Sequence, residues 1–192
     1  MNNENNEVLE ELGNKKSNCI IFPCFDHEQV KVINKKIKEN IFRDEPKSDV
    51  AYDTVKIGKF SQVPCPPLMD LLHPWLHNCQ ISNRKVFGYN IDWFVHLDSF
   101  NYNIYGTGGK YDWHIDSDTE TTPIDMKLTC LLNLSEESYE GGEFYAIGQK
   151  KRTEFNSGGS IVFNSLLPHK VTPVTKGERV TLTYWATGPP WR

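Results

Sequence analysis

Two residues suited to metal binding, His114 and Asp116, lie two positions apart in a strand-like stretch. Successive side chains of a strand point to opposite faces, so His114 and Asp116 project together while Ile115 packs on the other face. His169 follows a second strand-like run and supplies a third ligand. Two imidazoles and one carboxylate on one face of a metal leave coordination positions open, as in non-heme Fe(II) centres, and zinc competes for the same ligands.

Arg179 follows His169 by ten residues and begins the last strand-like run of the chain. A planar guanidinium pairs with a carboxylate through two parallel hydrogen bonds, which an ammonium does less specifically. Alternation along the strand places Arg179, Thr183 and Trp185 on one face. If that face is the interior, Arg179 is an anchor for a carboxylate; the alternative is a surface cation.

The motif around these residues resembles a known family. The chain contains Tyr-x-x-Gly-x-Lys-Tyr-x-x-His-x-Asp from Tyr105 to Asp116, then the distal His169, then Arg179. This order is similar to that of the Fe(II)/2-oxoglutarate dioxygenases of the prolyl 4-hydroxylase type. The resemblance extends from about Cys19 to Trp185 and includes the Glu-Gly-Gly-Glu turn at residues 140–143.

The resemblance implies a set of site residues. His114, Asp116 and His169 would hold Fe(II), and Arg179 would bind the far carboxylate of 2-oxoglutarate. The cosubstrate would also meet several neighbouring side chains, namely those of Tyr105, Asn133, Thr183 and Trp185. Asn133 stands where many relatives have a tyrosine, although its amide can still donate a hydrogen bond. Tyr105, Thr183 and Trp185 could instead be packing residues of strands.

The implied reaction is hydroxylation of an unactivated C–H bond with Fe(II), 2-oxoglutarate and O2, with ascorbate as a further candidate reductant. The predicted substrate is a prolyl residue of a protein or peptide. One alternative is the same chemistry on a small molecule, a free amino acid or another side chain. The other is a metal-dependent binding module without turnover, because a fold does not fix a function.

Composition limits the other classes of protein. The 192 residues suit one domain, with 38% hydrophobic and 24% charged residues and no apolar run of membrane-spanning length. A net charge of −4 without a basic stripe gives no support to a nucleic-acid partner. Five cysteines without a CxxC pattern indicate reduced thiols and a cytoplasmic location. The oligomeric state is not predicted.

The pattern of elements predicts a mainly β fold supported by N-terminal helices. Residues 1–17 read as a flexible polar tail, followed by one oxygenase domain over 18–192: residues 18–90 form the helical support and substrate-loop region, and 91–188 form a β-helix core. Short strands at this spacing are typical of a double-stranded β-helix, the jelly roll of cupin-like proteins. A strand at Cys19–Pro23 precedes a helix whose capping box is Asp26 and Gln29. A second amphipathic helix begins at Leu68.

The remaining predicted strands are Trp93–Leu97, Phe100–Tyr105, Lys110–Asp116, Met126–Leu134, Glu143–Ile147, Thr153–Phe155, Ser160–Phe163, His169–Val174 and Arg179–Ala186. Prolines interrupt Ile57–Pro67. This segment is therefore predicted to be a loop, which either folds over the substrate or serves as a connector.

Overall fold

Antiparallel sheets form the centre of the fold in a computed structural model that describes residues 19–45, 55–92, 99–117, 125–148 and 153–191. Within these residues a seven-stranded sheet has the order β1-β10-β7-β13-β5-β4-β2, and a four-stranded sheet has the order β3-β6-β11-β9. A short pair, β12-β8, completes the pairing. The strands are β1 Cys19–Pro23, β2 Arg43–Glu45, β3 Lys56–Ile57, β4 Lys59–Pro64, β5 Ser99–Tyr105, β6 Lys110–His114, β7 Asp125–Asn133, β8 Glu140–Gly141, β9 Phe144–Ala146, β10 Gly159–Asn164, β11 His169–Val171, β12 Val174–Lys176 and β13 Arg179–Gly188.

Two helices pack on the outer face of the larger sheet. Helix α1 spans His27–Lys38 and helix α2 spans Met69–Ser82, with a 3-10 turn at Pro66–Leu68 and a π-helical turn at Asn83–Phe87. The predicted capping box is confirmed: the Asp26 carboxylate accepts from the Gln29 backbone N–H at 2.8 Å, and the Gln29 side chain accepts from the Asp26 N–H at 2.9 Å. Within the described ranges, none of the helices combines the length and apolarity that crossing a bilayer requires.

Strand β7 lies between β10 and β13 and divides its side chains between two cores. Leu128, Cys130 and Leu132 join the cluster that packs against both helices. Leu131 instead joins a cluster between the sheets that includes Phe144. The inner face of β7 is therefore directed at the smaller sheet, which carries His114 and His169. All five cysteines are free thiols.

The segment predicted to be a substrate loop, Ile57–Pro67, is mostly strand β4. Residues Lys59–Pro64 pair with β5 over six positions and lie inside the larger sheet. The prolines misled the prediction because Pro64 is the last residue of the strand and Pro66 begins the 3-10 turn, where a missing N–H costs no ladder bond.

Several strand boundaries also differ from prediction. Strand β6 ends at His114, and Ile115 is 49% exposed instead of packed. The predicted His169–Val174 strand divides into β11 and β12, and Thr153–Phe155 contributes only a bridge from Thr153 to Phe144. The predicted tail, residues 1–17, and the predicted strand Trp93–Leu97 lie outside the described residues.

Gly158 hydrogen-bonds both to the segment that follows β1 and to the end of the central strand β7. Its carbonyl accepts from the N–H groups of Cys24 and Phe25, and its N–H donates to the Asn133 carbonyl. A Cβ at this position would overlap the Phe25 carbonyl, and φ is +72°. We therefore expect Gly158→Ala to lower the free energy of unfolding by about 2–4 kcal/mol in a urea titration.

The matched control for Gly158 is Gly88→Ala. Gly88 also has a positive φ, +68°, but a Cβ there would have nothing within 4 Å. This variant should lose only about 1–2 kcal/mol, the cost of the left-handed conformation itself. Equal losses in the two variants would contradict the backbone overlap as the cause.

Candidate metal centre

The His-Asp-His set converges on one point between strands β6 and β11. His114 pairs directly with His169 across the two strands, and Asp116 follows His114 by two residues. The Asp116 Oδ1 atom is 3.5 Å from His114 Nε2, and Oδ2 is 3.6 Å from His169 Nε2. One ligand atom from each residue lies within 4.8 Å of the others, and the three side chains are between 5% and 11% exposed. Among the described residues this is the one such cluster of His, Cys, Asp or Glu.

Main-chain carbonyls set the tautomers of both histidines. Nδ1 of His114 is 2.7 Å from the carbonyl oxygen of Asp112, and Nδ1 of His169 is 2.9 Å from that of Leu167. A carbonyl only accepts, so each Nδ1 carries the hydrogen and each Nε2 presents a lone pair to the centre. Burial lowers the pKa of His169, with the neighbouring His114 and Arg179 acting in the same direction against Asp116. The neutral imidazole is the form that binds metal.

Asp116 is held as a carboxylate. Burial by itself raises its pKa, but the neighbouring His114 and His169 and the hydroxyl of Thr129 together hold that pKa below its ordinary value. The backbone N–H of Asp116 donates to the Ser165 carbonyl at 2.9 Å. Two imidazole nitrogens and a carboxylate within 4.8 Å of one another are donors that divalent first-row metals accept. The donor set therefore fits a divalent first-row metal.

Arg179 lies in the interior, 1% exposed, with its guanidinium between aromatic rings. Its Cζ atom is 5.3 Å from the ring centre of Tyr105 and 5.6 Å from that of Phe155. Nε and Nη2 are buried and have no hydrogen-bond acceptor among the described residues. A buried cation with unpaired donors is unfavourable unless an anion joins it, so this position fits a ligand carboxylate.

One pocket contains the metal ligands, Arg179 and most of the predicted cosubstrate residues. Thr183 accepts a hydrogen bond from the Asn103 amide at 3.0 Å, and the buried Trp185 indole N–H has no acceptor among the described residues. The volume of this pocket is about 40 Å³. The lining residues are Lys56, Asn103, Tyr105, Tyr111, His114, Asp116, Thr129, Leu131, His169, Val171, Arg179, Thr181, Thr183 and Trp185.

Asn133 does not line this pocket, and its role toward the cosubstrate stays a prediction. Its amide donates to the Phe155 carbonyl at 2.6 Å and the Tyr139 hydroxyl at 3.4 Å, and its Oδ1 accepts from the Ser135 N–H. Both hydrogens of the Asn133 amide therefore have acceptors within the protein. Asn133 borders instead a separate cleft of about 770 Å³, formed with residues 135–144 and 153–157. Although larger, this cleft contains none of the metal ligands.

The sequence did not predict three pocket residues, which contact a candidate metal ligand or each other. The Tyr111 ring stacks on the His114 ring with centroids 3.4 Å apart, and the Lys56 ammonium lies 4.9 Å from the centre of the Tyr111 ring. Thr129 donates a 2.6 Å hydrogen bond to Asp116. Tyr111 lies within the recognised motif, but Lys56 and Thr129 have no local signature because only the folded sheets bring them to the ligands.

Comparison with known proteins agrees with this geometry. Residues 100–187 match the 2OG-Fe(II) oxygenase superfamily. A PKHD-type hydroxylase of Alteromonas mediterranea is 35% identical over 94 residues, which are 44% of this chain and 41% of that relative. The chain thus matches well under half the length of this curated relative.

Solved structures show the same fold at low sequence identity. A Pseudomonas putida prolyl-4-hydroxylase has a TM-score of 0.69 at 17% identity, covering 97% of this chain and 98% of that chain. A Trichoplax adhaerens prolyl hydroxylase, in complex with a hypoxia inducible factor peptide fragment, has a TM-score of 0.68 at 16% identity, covering 97% and 93%. The predicted jelly-roll fold is confirmed. Residues 100–187 are thus similar to the 2OG-Fe(II) oxygenase superfamily, and the fold of the chain is that of the solved prolyl hydroxylases.

Proposed function

We propose that this protein is a dioxygenase that hydroxylates an unactivated C–H bond with Fe(II), 2-oxoglutarate and O2. The observation that carries the proposal is the buried guanidinium of Arg179, whose Nε and Nη2 have no acceptor among the described residues, in the same pocket as the candidate metal ligands. A structural metal site does not require such a cation. A dicarboxylate that binds the metal at one end would accept hydrogen bonds from the guanidinium at the other. Retention of this arrangement argues against a binding module without turnover.

Each pocket residue has a distinct task in this proposal. His114, Asp116 and His169 would hold the iron, and Arg179 would pair with the distal carboxylate of 2-oxoglutarate. Burial, opposed by Arg179, raises the pKa of Tyr105 to about 12, so its hydroxyl keeps its proton and can donate to the cosubstrate. Thr183 and Trp185 line the same pocket. Iron, when bound, would activate O2, one oxygen atom of which would convert 2-oxoglutarate to succinate and CO2 while the other would enter the substrate.

The pocket must widen to admit the cosubstrate. Its volume of about 40 Å³ is little more than the share of one water in the liquid, about 30 Å³. Lys56, Tyr111 and Trp185 are only partly buried and line the pocket. Their displacement is the smallest change that makes room, because the other lining residues, apart from His114 and Asp116, are buried.

We propose a prolyl residue of a protein or peptide as the substrate. Support comes from the prolyl hydroxylases that share the fold, one of them bound to a peptide fragment. A small molecule, a free amino acid or another side chain is the alternative. The cytoplasmic location and the division at residues 90 and 91 stay predictions from the sequence.

The test is succinate production by the purified chain supplied with Fe(II), 2-oxoglutarate and O2, with and without proline-rich peptides and with ascorbate present. We expect succinate above the level of an Asp116→Ala variant, and stimulation by a peptide that gains one oxygen atom by mass spectrometry. Stimulation only by small molecules would move the substrate to the alternative class. Metal binding with no succinate above the variant would contradict a dioxygenase.

Asp116→Glu tests how tightly the carboxylate is placed. One added methylene moves the carboxyl group by about a bond length, whereas catalytic arrangements tolerate about 0.5 Å. We expect Co(II) to bind still, while succinate production falls by about tenfold or more, in line with the loss that misplaced catalytic groups cause. An unchanged rate would mean that Asp116 is not a tightly placed ligand.

A further inference from the structure

The hydroxyl of Thr129 is directed at the carboxylate proposed to bind the metal. Its Oγ1 atom donates to Asp116 Oδ2 at 2.6 Å, a distance typical of a hydroxyl bonded to an ionised carboxylate. Thr129 lies in the middle of β7, is 1% exposed and faces the pocket. Asp116 Oδ1 faces the Nε2 of His114 at 3.5 Å and Oδ2 faces that of His169 at 3.6 Å, and the Thr129 bond goes to Oδ2. The two oxygens of Asp116 therefore have different surroundings.

Ser165 fixes the direction of the Thr129 hydroxyl. The two hydroxyl oxygens are 3.0 Å apart, and either could donate by geometry alone. A threonine has one hydroxyl hydrogen, and that hydrogen is used on Asp116, so the Ser165 hydroxyl must donate to Thr129. Ser165 also accepts the backbone N–H groups of Asp116 and Ser117 at its carbonyl. One residue thus positions both the backbone and, through Thr129, the side chain of Asp116.

We infer that the Ser165–Thr129 hydroxyl pair positions the Asp116 carboxylate for metal binding, because the bond to Oδ2 fixes the rotation of the carboxylate. The inference rests on the proposed role of Asp116 as a ligand. A carboxylate without this bond is free to turn about its Cβ–Cγ bond, which would misplace the oxygens that face His114 and His169. Thr129 and Ser165 are positioning residues, since they act through Asp116.

Thr129→Val removes the hydroxyl and keeps the branched shape that a central strand favours. The loss of a group that orients a ligand typically lowers metal affinity by about 10–100-fold. We expect that weakening for Co(II), together with a shift of the Co(II) ligand-field absorption bands as the carboxylate changes its orientation. Thr129→Ser should restore both the affinity and the spectrum, and Ser165→Ala should fall between.

The control is Ser160→Ala, which removes a buried hydroxyl on the neighbouring strand β10. This hydroxyl accepts from the Trp75 indole at 2.8 Å and makes no bond to Asp116. It should lower thermal stability and leave the Co(II) spectrum unchanged, which separates a loss of stability from a change at the metal.

Four outcomes decide the inference. A wild-type spectrum and affinity in Thr129→Val would overturn it while leaving the metal site in place. If the wild type binds Co(II) no better than Asp116→Ala, both the metal site and the inference fail. If Thr129→Val does not fold, Ser165→Ala is decisive, and an unchanged spectrum there rejects the hydroxyl pair. A weaker, spectrally altered site that Thr129→Ser restores supports it.

Discussion

Replacement of Arg179 by methionine is expected to weaken 2-oxoglutarate binding by about two orders of magnitude or more, without loss of stability in the ligand-free protein. Removal of one partner of a buried, hydrogen-bonded charge pair costs about 2–5 kcal/mol, and each 1.4 kcal/mol is a factor of ten. The ligand-free protein should be as stable as the wild type or more so, because Nε and Nη2 of Arg179 are buried without acceptors. A residue that served only packing would lower stability when replaced.

The measurement is a titration of 2-oxoglutarate into the Mn(II)-loaded proteins, with thermal unfolding in the presence and absence of the cosubstrate. Ligand binding to the native state raises the midpoint of unfolding, so the wild type should gain stability and Arg179→Met should not. Arg179→Lys should lie between, since lysine keeps the charge without the planar fork. Arg84, which is exposed, provides the control Arg84→Met. Wild-type affinity in Arg179→Met would place the carboxylate anchor elsewhere.

Replacement of any one metal ligand should reduce both Co(II) binding and succinate production to background. His114→Ala, Asp116→Ala and His169→Ala each remove one of the donors that meet within 4.8 Å. The fold should survive, because the backbone ladders that hold these positions do not depend on the side chains. Far-ultraviolet circular dichroism and the unfolding midpoint check that point.

Two matched controls accompany these variants. Asp112 is a carboxylate on the same strand, 52% exposed at its side chain, and Asp112→Ala keeps the main-chain carbonyl that holds His114. His73 is an exposed helical histidine and provides the second control, His73→Ala. Both control variants should bind Co(II) like the wild type. Full turnover in any ligand variant with iron supplied would remove that residue from the proposed site.

Local pattern was enough to predict the positions that meet at the pocket. Spacing put His114 and Asp116 together, and alternation along the last strand put Arg179, Thr183 and Trp185 on one face. All five line the same pocket. These predictions succeeded because strand periodicity is a local property that any paired strand retains. The Asp26 capping box is local in the same sense.

Features that depend on contacts between strands far apart in the sequence could not be predicted from local pattern. Thr129 meets Asp116 only because the fold brings β7 and the residues after β6 together from two different sheets, and a strand threonine alone does not indicate that contact. Asn133 lies on the same face of β7 as Thr129. Its side-chain amide donates to the Phe155 carbonyl and the Tyr139 hydroxyl and not to a ligand in the pocket. The β4 strand was hidden because its partner, β5, is some forty residues away in the sequence.

The main-chain carbonyls that orient His114 and His169 also bear on how such a protein can diversify. Each carbonyl belongs to the residue two positions before the histidine, Asp112 and Leu167. Every amino acid provides the same oxygen, so substitutions at these two positions leave the protonation of the metal-binding nitrogens unaltered. Substitutions of side chains around the pocket can then change the substrate without changing the orientation of the two histidines. The substrate specificity of such a protein can therefore evolve separately from its metal site.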